Sequence, residues 1–351
     1  MNKKLLLLIS TLGQLLLQST SISGQTLLKQ INLKKFGITP ANYSGIVHVA
    51  ADSFAVVDDK SVADGFIPFR IVQDNETGQI KEVYASPLLY DRTALSANRE
   101  RSKADCEDIT YVPEWNTYFI ASEAWQKVYE YDDKGCLTGR QLSIPSQFSP
   151  NKIQDNCGFE SLTYNQHTGL FWTTTEAPLI GEEGTVRPML RLQSFYRDLQ
   201  PASQWAYRME AATMKPGKYY AHGVSAMLAL DDGRLLVLER ELTVPTKYVG
   251  SKTKIRIFVV NPLKTEPIDS FTTLKTLNEA RILKKREVFS FVTNIKIGKL
   301  NYANYEGMAL GAKLADGRQS LLLICDSQAG AGNGLYQLKD YIKVIILPEY
   351  F

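Results

Sequence analysis

The chain has 351 residues, 44% of them hydrophobic and 22% charged, which is the composition of a globular protein. Forty Lys and Arg against 37 Asp and Glu leave a net charge of +3, too small a basic excess for nucleic acid to be the main partner. Three His and four Cys exclude a zinc-finger array and weigh against any mechanism that needs several His.

Residues 1–24 read as a signal peptide. Lys3 and Lys4 precede the apolar run from Leu5 to Leu17, and the small residues Ser19, Ser21, Ser23 and Gly24 follow. The run is too short for a comfortable membrane span, and no other apolar stretch is longer. The expectation is a periplasmic or secreted protein, with residues 25–351 as one domain. Export places Cys106, Cys136, Cys157 and Cys325 in an oxidising compartment, and one disulfide among the first three is expected. Cys325, inside the run Leu321–Cys325, reads as a core residue.

A repeat then runs along the chain. Five segments share one shape: Tyr43–Ile46, Cys106–Ile109, Phe159–Leu162, Val224–Met227 and Tyr305–Met308. Each precedes a turn and a second apolar strand that ends in an acid: Asp58, Glu123, Glu176, Glu239 and Asp326. Turn residues separate the two strands, as in Asp231–Gly233 and Asp316–Gly317. Further alternating segments, such as Lys127–Tyr131, Lys254–Val260 and Tyr341–Leu347, read as outer strands. Short helices are expected only near Ser86–Leu95 and Phe271–Lys284. Many short strands in a radial repeat predict an all-β fold, a β-propeller whose ring is closed by N- and C-terminal strands. Six blades of about 54 residues are favoured; five of about 65 are the alternative.

The pieces Ser44–Ile46, Asn156–Glu160, His222–Ser225, Gly233–Arg240, Asn304–Gly307 and Asp316–Leu323, in this order, resemble the phytase-like, "esterase-like activity of phytase" proteins of bacteria. The resemblance implies a propeller and an ester-hydrolysing activity. It names no substrate.

In a propeller the inner strands line a central channel, so a residue recurring at one point of each blade forms a ring. Glu107, Glu160 and Glu306 recur at the start of the unit, with Ser44 and Ser225 at the other two positions; the five terminal acids would form a second ring. Carboxylates so close repel, and a bound cation removes that cost. Oxygen ligands without His or thiolate favour calcium, or magnesium, over zinc. Glu107, Glu160, Glu176, Glu239, Glu306 and Asp326 are therefore candidate metal ligands. Glu160, Glu306 and Arg240 are candidate catalytic residues. Arg101, Lys152 and Arg240 are candidate substrate contacts, with Arg99 and Lys103 beside Arg101. A buried Arg240 would also knit the acids together without metal. No Gly-x-Ser-x-Gly elbow, Walker loop or dinucleotide fingerprint is present, and the three His read as structural.

The sequence thus points to an exported, monomeric propeller hydrolase acting on a small-molecule ester, a phosphoric ester first, with a divalent cation in its channel. A calcium-dependent lactonase or carboxylic esterase of the gluconolactonase type, and a propeller that only binds, are the alternatives.

Overall fold

A computed structural model describes residues 26–97, 103–296, 299–332, 336–349 and 351. The signal-peptide expectation, and Arg99 and Arg101, lie outside the described residues. Among those described, no helix is long and apolar enough to cross a membrane.

Among the described residues, twenty-two strands form five antiparallel sheets. Two short strands come first, β1 (Thr26–Leu27) and β2 (Ile31–Asn32). Blade one is β3 (Tyr43–Ala50), β4 (Ser53–Asp58), β5 (Ile67–Gln73) and β6 (Ile80–Ala85). Blade two is β7 (Cys106–Val112), β8 (Thr117–Ser122), β9 (Lys127–Tyr131) and β10 (Leu137–Gln141). Blade three is β11 (Phe159–Asn165), β12 (Leu170–Thr175), β13 (Met189–Phe195) and β14 (Pro201–Arg208). Blade four is β15 (Tyr219–Ala229), β16 (Leu235–Val244), β17 (Lys252–Val260), β18 (Lys285–Lys296) and β19 (Lys299–Leu300). Blade five is β20 (Asn304–Lys313), β21 (Gln319–Asp326) and β22 (Tyr341–Ile346). It is completed by β1 and β2, which both pair with β22 and close the ring as expected.

The fold is a β-propeller, and its blades number five rather than the favoured six. Each of the five repeated segments lies within one innermost strand. Among the described residues the remaining length goes into connections such as 142–158 and 261–284, not into a sixth sheet. The connections also hold the expected helices. The first is one short helix, Arg92–Ala97; the second shrinks to two 3-10 turns, Leu274–Thr276 and Glu279–Arg281.

Five seams between blades carry five apolar cores. Phe54, Val56 and Ile71 of blade one meet Leu322, Ile324 and Val344 of blade five. Phe119 and Val128 of blade two meet Phe159, Phe171 and Phe195 of blade three. The other three seams repeat the pattern. Side chains of one blade also satisfy backbone N–H groups on the open edge of the next. Asp108 accepts from Leu162 N at 2.7 Å, Thr110 from Tyr164 N at 2.9 Å, and Thr163 from Ala229 N at 3.0 Å. Tight hairpins join the first and second strands on one face of the disc. Gly233 and Gly317 take the positive φ these turns need (83° and 87°). The long connections enter the inner strands on the opposite face, where the acids lie.

Candidate functional site: an acidic ring at the channel mouth

Every inner strand breaks register at the same place. Cys106 pairs with Ser122 and Asp108 with Ala121, so Glu107 is an extra residue. Glu160, Ser225 and Glu306 are the extra residues of β11, β15 and β20. In β3 the break spans Ser44 and Gly45. Such bulges re-aim one side chain out of the alternating pattern. Five bulges at equivalent positions place Ser44, Glu107, Glu160, Ser225 and Glu306 in one ring, as their recurrence suggested.

The second ring differs from the expected one at two positions. The residues paired with the position just before each bulge are Asp58, Ser122, Thr175, Glu239 and Cys325. The next residues are Asp59, Glu123, Glu176, Arg240 and Asp326. Successive side chains of a strand face opposite ways. Glu123, Glu176 and Asp326 therefore belong to the ring, whereas Asp58 and Glu239 are one residue out of phase. Glu239 turns towards blade three and accepts from Tyr207 Oη at 2.6 Å, Glu210 N at 2.9 Å and Lys285 Nζ at 2.5 Å. It is not placed as a ligand with the others.

Arg240 takes the fifth position. It is 5% exposed and ties three blades together. Nη2 donates to Glu176 Oε1 at 2.5 Å, and Nη1 donates to Glu306 and to Asn304 Oδ1 at 3.3 Å. Asn304 also donates to Glu306 at 2.7 Å. The reading of Arg240 as a knit among acids therefore holds.

On the other side of the channel the acids lack such a tie. Glu107, Glu123 and Glu160 each bring a carboxylate oxygen within 4.8 Å of the others, and all three are buried. Glu107 accepts from Ser44 Oγ at 2.6 Å, and Glu123 from Gly158 N at 2.6 Å. Glu160 is 5% exposed and its carboxylate accepts no hydrogen bond among the described residues. A second group, Asp59, Asp105 and Glu107, adjoins the first and shares Glu107. Lys60 bonds both aspartates there, 3.0 Å from Asp59 and closer to Asp105.

Eight carboxylates thus face two cations, Lys60 and Arg240. Burial, reinforced by neighbouring acids, lifts Glu107 and Glu160 well above the carboxylate range. Burial raises Glu123 and Asp59 to about 7 and Asp326 to about 6. Glu306 rises to about 8, because burial and the charges of Asp326, Asp59 and Glu176 outweigh Arg240. The cluster carries more negative charge than its own cations neutralise. Unpartnered Glu160 and the hard-oxygen donor set fit a bound cation.

Lys152 is exposed on a 3-10 turn, Pro150–Lys152, and no hydrogen bond or ion pair joins its side chain to a ring acid among the described residues. The cysteines are all free, so the expected disulfide is absent. Cys106 and Cys325 are buried in seam cores, and Cys157 lies at the channel mouth, where its thiol meets Glu176. Asp59, Lys60, Asp105, Asn304 and Gln126 were not singled out by sequence. Gln126, buried with φ at 50°, donates to Glu123 O at 2.7 Å, while its Oε1 has no partner.

Solved structures similar over most of the chain include an endo-arabinase from Bacteroides thetaiotaomicron, 13% identical over 92% of this chain and 97% of that one, TM-score 0.43. An α-L-arabinanase from Penicillium chrysogenum is 9% identical over 91% and 98%, TM-score 0.41. The periplasmic gluconolactonase of Pseudomonas aeruginosa is 12% identical over 86% and 76%, TM-score 0.32. No curated protein matches the sequence. Residues 39–328 match the Phytase-like family, described as esterase-like activity of phytase, and they contain all five inner strands and both rings. The chain belongs to the Phytase-like family.

Proposed function

We propose that the chain is an exported, monomeric hydrolase of small-molecule esters, phosphoric esters first, assisted by a divalent cation held at Glu107, Glu123 and Glu160. The observation that carries the reading is this buried carboxylate triad, with Glu160 unpartnered and Arg240 committed elsewhere. The all-carboxylate donor set fits a hard cation, calcium first and magnesium second. A cation held there would supply Lewis acidity towards an ester oxygen and lower the pKa of water.

The chain's own residues do the rest. Ser44 and Gly158 each bind a carboxylate and fix its direction. Arg240 and Asn304 orient Glu306, whose raised pKa of about 8 lets it carry a proton near neutrality and deliver it to a leaving oxygen. Below the ring, Ile46, Ile109, Leu162, Met227 and Met308 line the channel.

The test uses residues 25–351. Melting is measured in chelator, then with calcium or magnesium restored, and hydrolysis is followed with an aryl phosphate, an aryl carboxylate and a lactone. A ligand at 100 times its Kd adds about 2.7 kcal/mol. A saturable, calcium-selective rise with turnover of the aryl phosphate supports the reading. Turnover of the lactone alone moves the protein to the lactonase alternative. A flat melting response and no turnover reject both.

A further inference from the structure

Blade four is taller than the others. β15 begins six residues before Ser225, and β16 runs four residues past Arg240. The sheet therefore stands roughly 15–20 Å above the ring on the acid face. One face of it, turned towards blade three, carries a row of charges fixed by register. His222 lies opposite Glu241, and Glu241 opposite Lys254; one pleat lower, Glu239 lies opposite Arg256.

Directly opposed charges on a sheet normally pair. Here both acids are engaged elsewhere. Glu241 accepts from Thr213 N at 2.7 Å, Thr213 Oγ1 at 2.8 Å, Met214 N at 2.6 Å and Tyr220 Oη at 3.2 Å. Glu239 is taken by Tyr207, Glu210 N and Lys285. Lys254, Arg256 and His222 make no side-chain hydrogen bond or ion pair among the described residues, and all three are half-buried. They line one groove with Glu239, Arg240 and Glu241, next to the ring. Burial and the Arg256 charge both push Lys254 below the usual lysine range. Two cations are thus held side by side and partly dehydrated, with Glu210, Glu241 and Glu287 near Lys254 but no carboxylate bonded to either cation among the described residues.

We infer that His222, Lys254 and Arg256 form an oxyanion subsite beside the channel mouth, which holds a phosphate or other anionic group of the substrate away from the bond that is cleaved. Arg256 offers a planar fork for two anion oxygens, Lys254 a point charge, and the His222 ring an N–H. This use of the subsite rests on the hydrolase reading; the binding of an anion there does not.

Inorganic phosphate is the probe, titrated calorimetrically into the calcium-free protein in chelator at constant ionic strength, with chloride as the control. Saturable binding of phosphate over chloride is expected, weakened at least tenfold in the double variant Lys254→Met, Arg256→Met. That variant should melt no lower than wild type without phosphate, since it removes two unpaired cations. Absent or chloride-like binding, or equal affinity in the variant, overturns the subsite. A variant that melts well below wild type assigns the two residues to the fold and overturns it too. If phosphate binds as expected but no ester is turned over, the hydrolase reading fails and the subsite stands.

Discussion

The backbone N–H of Gly158 donates to Oε1 of Glu123 at 2.6 Å, across the seam between blades three and two. No side chain fits at this position. A Cβ on residue 158 would lie 1.7 Å from Gln126 Nε2 and 2.9 Å from Glu123 Cγ. Gly158→Ala should therefore displace Gln126 and turn Glu123. We expect a loss of about 1–3 kcal/mol by denaturant unfolding. Calcium affinity should fall about 10–100-fold by calorimetry, as when an outer-shell partner of a ligand is lost.

Glu160 is buried among like charges with no partner of its own. Glu160→Gln should melt at least as high as wild type in chelator, because a buried carboxyl already pushed towards its neutral form is replaced by a neutral group of the same shape. The same variant should lose the calcium-dependent rise. A full calcium response in Glu160→Gln would remove this residue from the site.

Arg240 is bonded to Glu176 and Glu306, and both carboxylates are buried. Arg240→Met leaves them unpaired, and about 3–5 kcal/mol of stability should be lost. Arg240→Lys should recover only part of this, because one ammonium cannot span the two carboxylates and Asn304 as the guanidinium fork does. Thermal melting of the three proteins at one pH checks the order wild type, Lys, Met.

The metal-free protein should respond to pH in the reverse of the usual sense for acids. Glu123 and Asp59 titrate near 7 and Glu306 near 8 in the fold, above their ordinary values of 4.5, 3.8 and 4.5. The folded state then binds more protons than the unfolded one between about pH 4 and 8. Stability is full at the low end of that window and falls as pH rises through it. Melting in chelator should drop by at least about 2 °C between pH 5 and pH 8. Calcium, which binds the ionised carboxylates, should stabilise more at pH 8 than at pH 5.

The four thiols give a direct chemical check. Unfolding in denaturant without reductant should release four reactive thiols per chain. Cys106 and Cys325, fully enclosed in their cores, should react slowly before unfolding.

The first ring was legible because a bulge residue has to recur with its blade, so Glu107, Glu160 and Glu306 stand out by spacing alone. The second ring was legible only in part. Asp58 and Asp59 are both acids, as are Glu239 and Glu241 around Arg240, and sequence does not reveal which of two adjacent residues faces the channel. A slip of one residue reverses the face. Asp105, Lys60 and Gln126 were invisible for another reason. They reach the site across a seam or from a tight turn, in conformations that local pattern does not encode. The blade count failed because long connections dilute the repeat, and division by chain length treats loops as strands.

The pairing of Ile31 with Ile342 joins residues more than 300 positions apart. At roughly 5–20 residues per second, β2 waits on the order of 15–60 s at the ribosome before β22 exists. During that interval the blade-one face of Phe54, Val56 and Ile71 has no Leu322, Ile324 and Val344 to cover it. Unlike a string of independent modules, this ring cannot finish folding during synthesis. Closure of the ring waits until the last strand has been made.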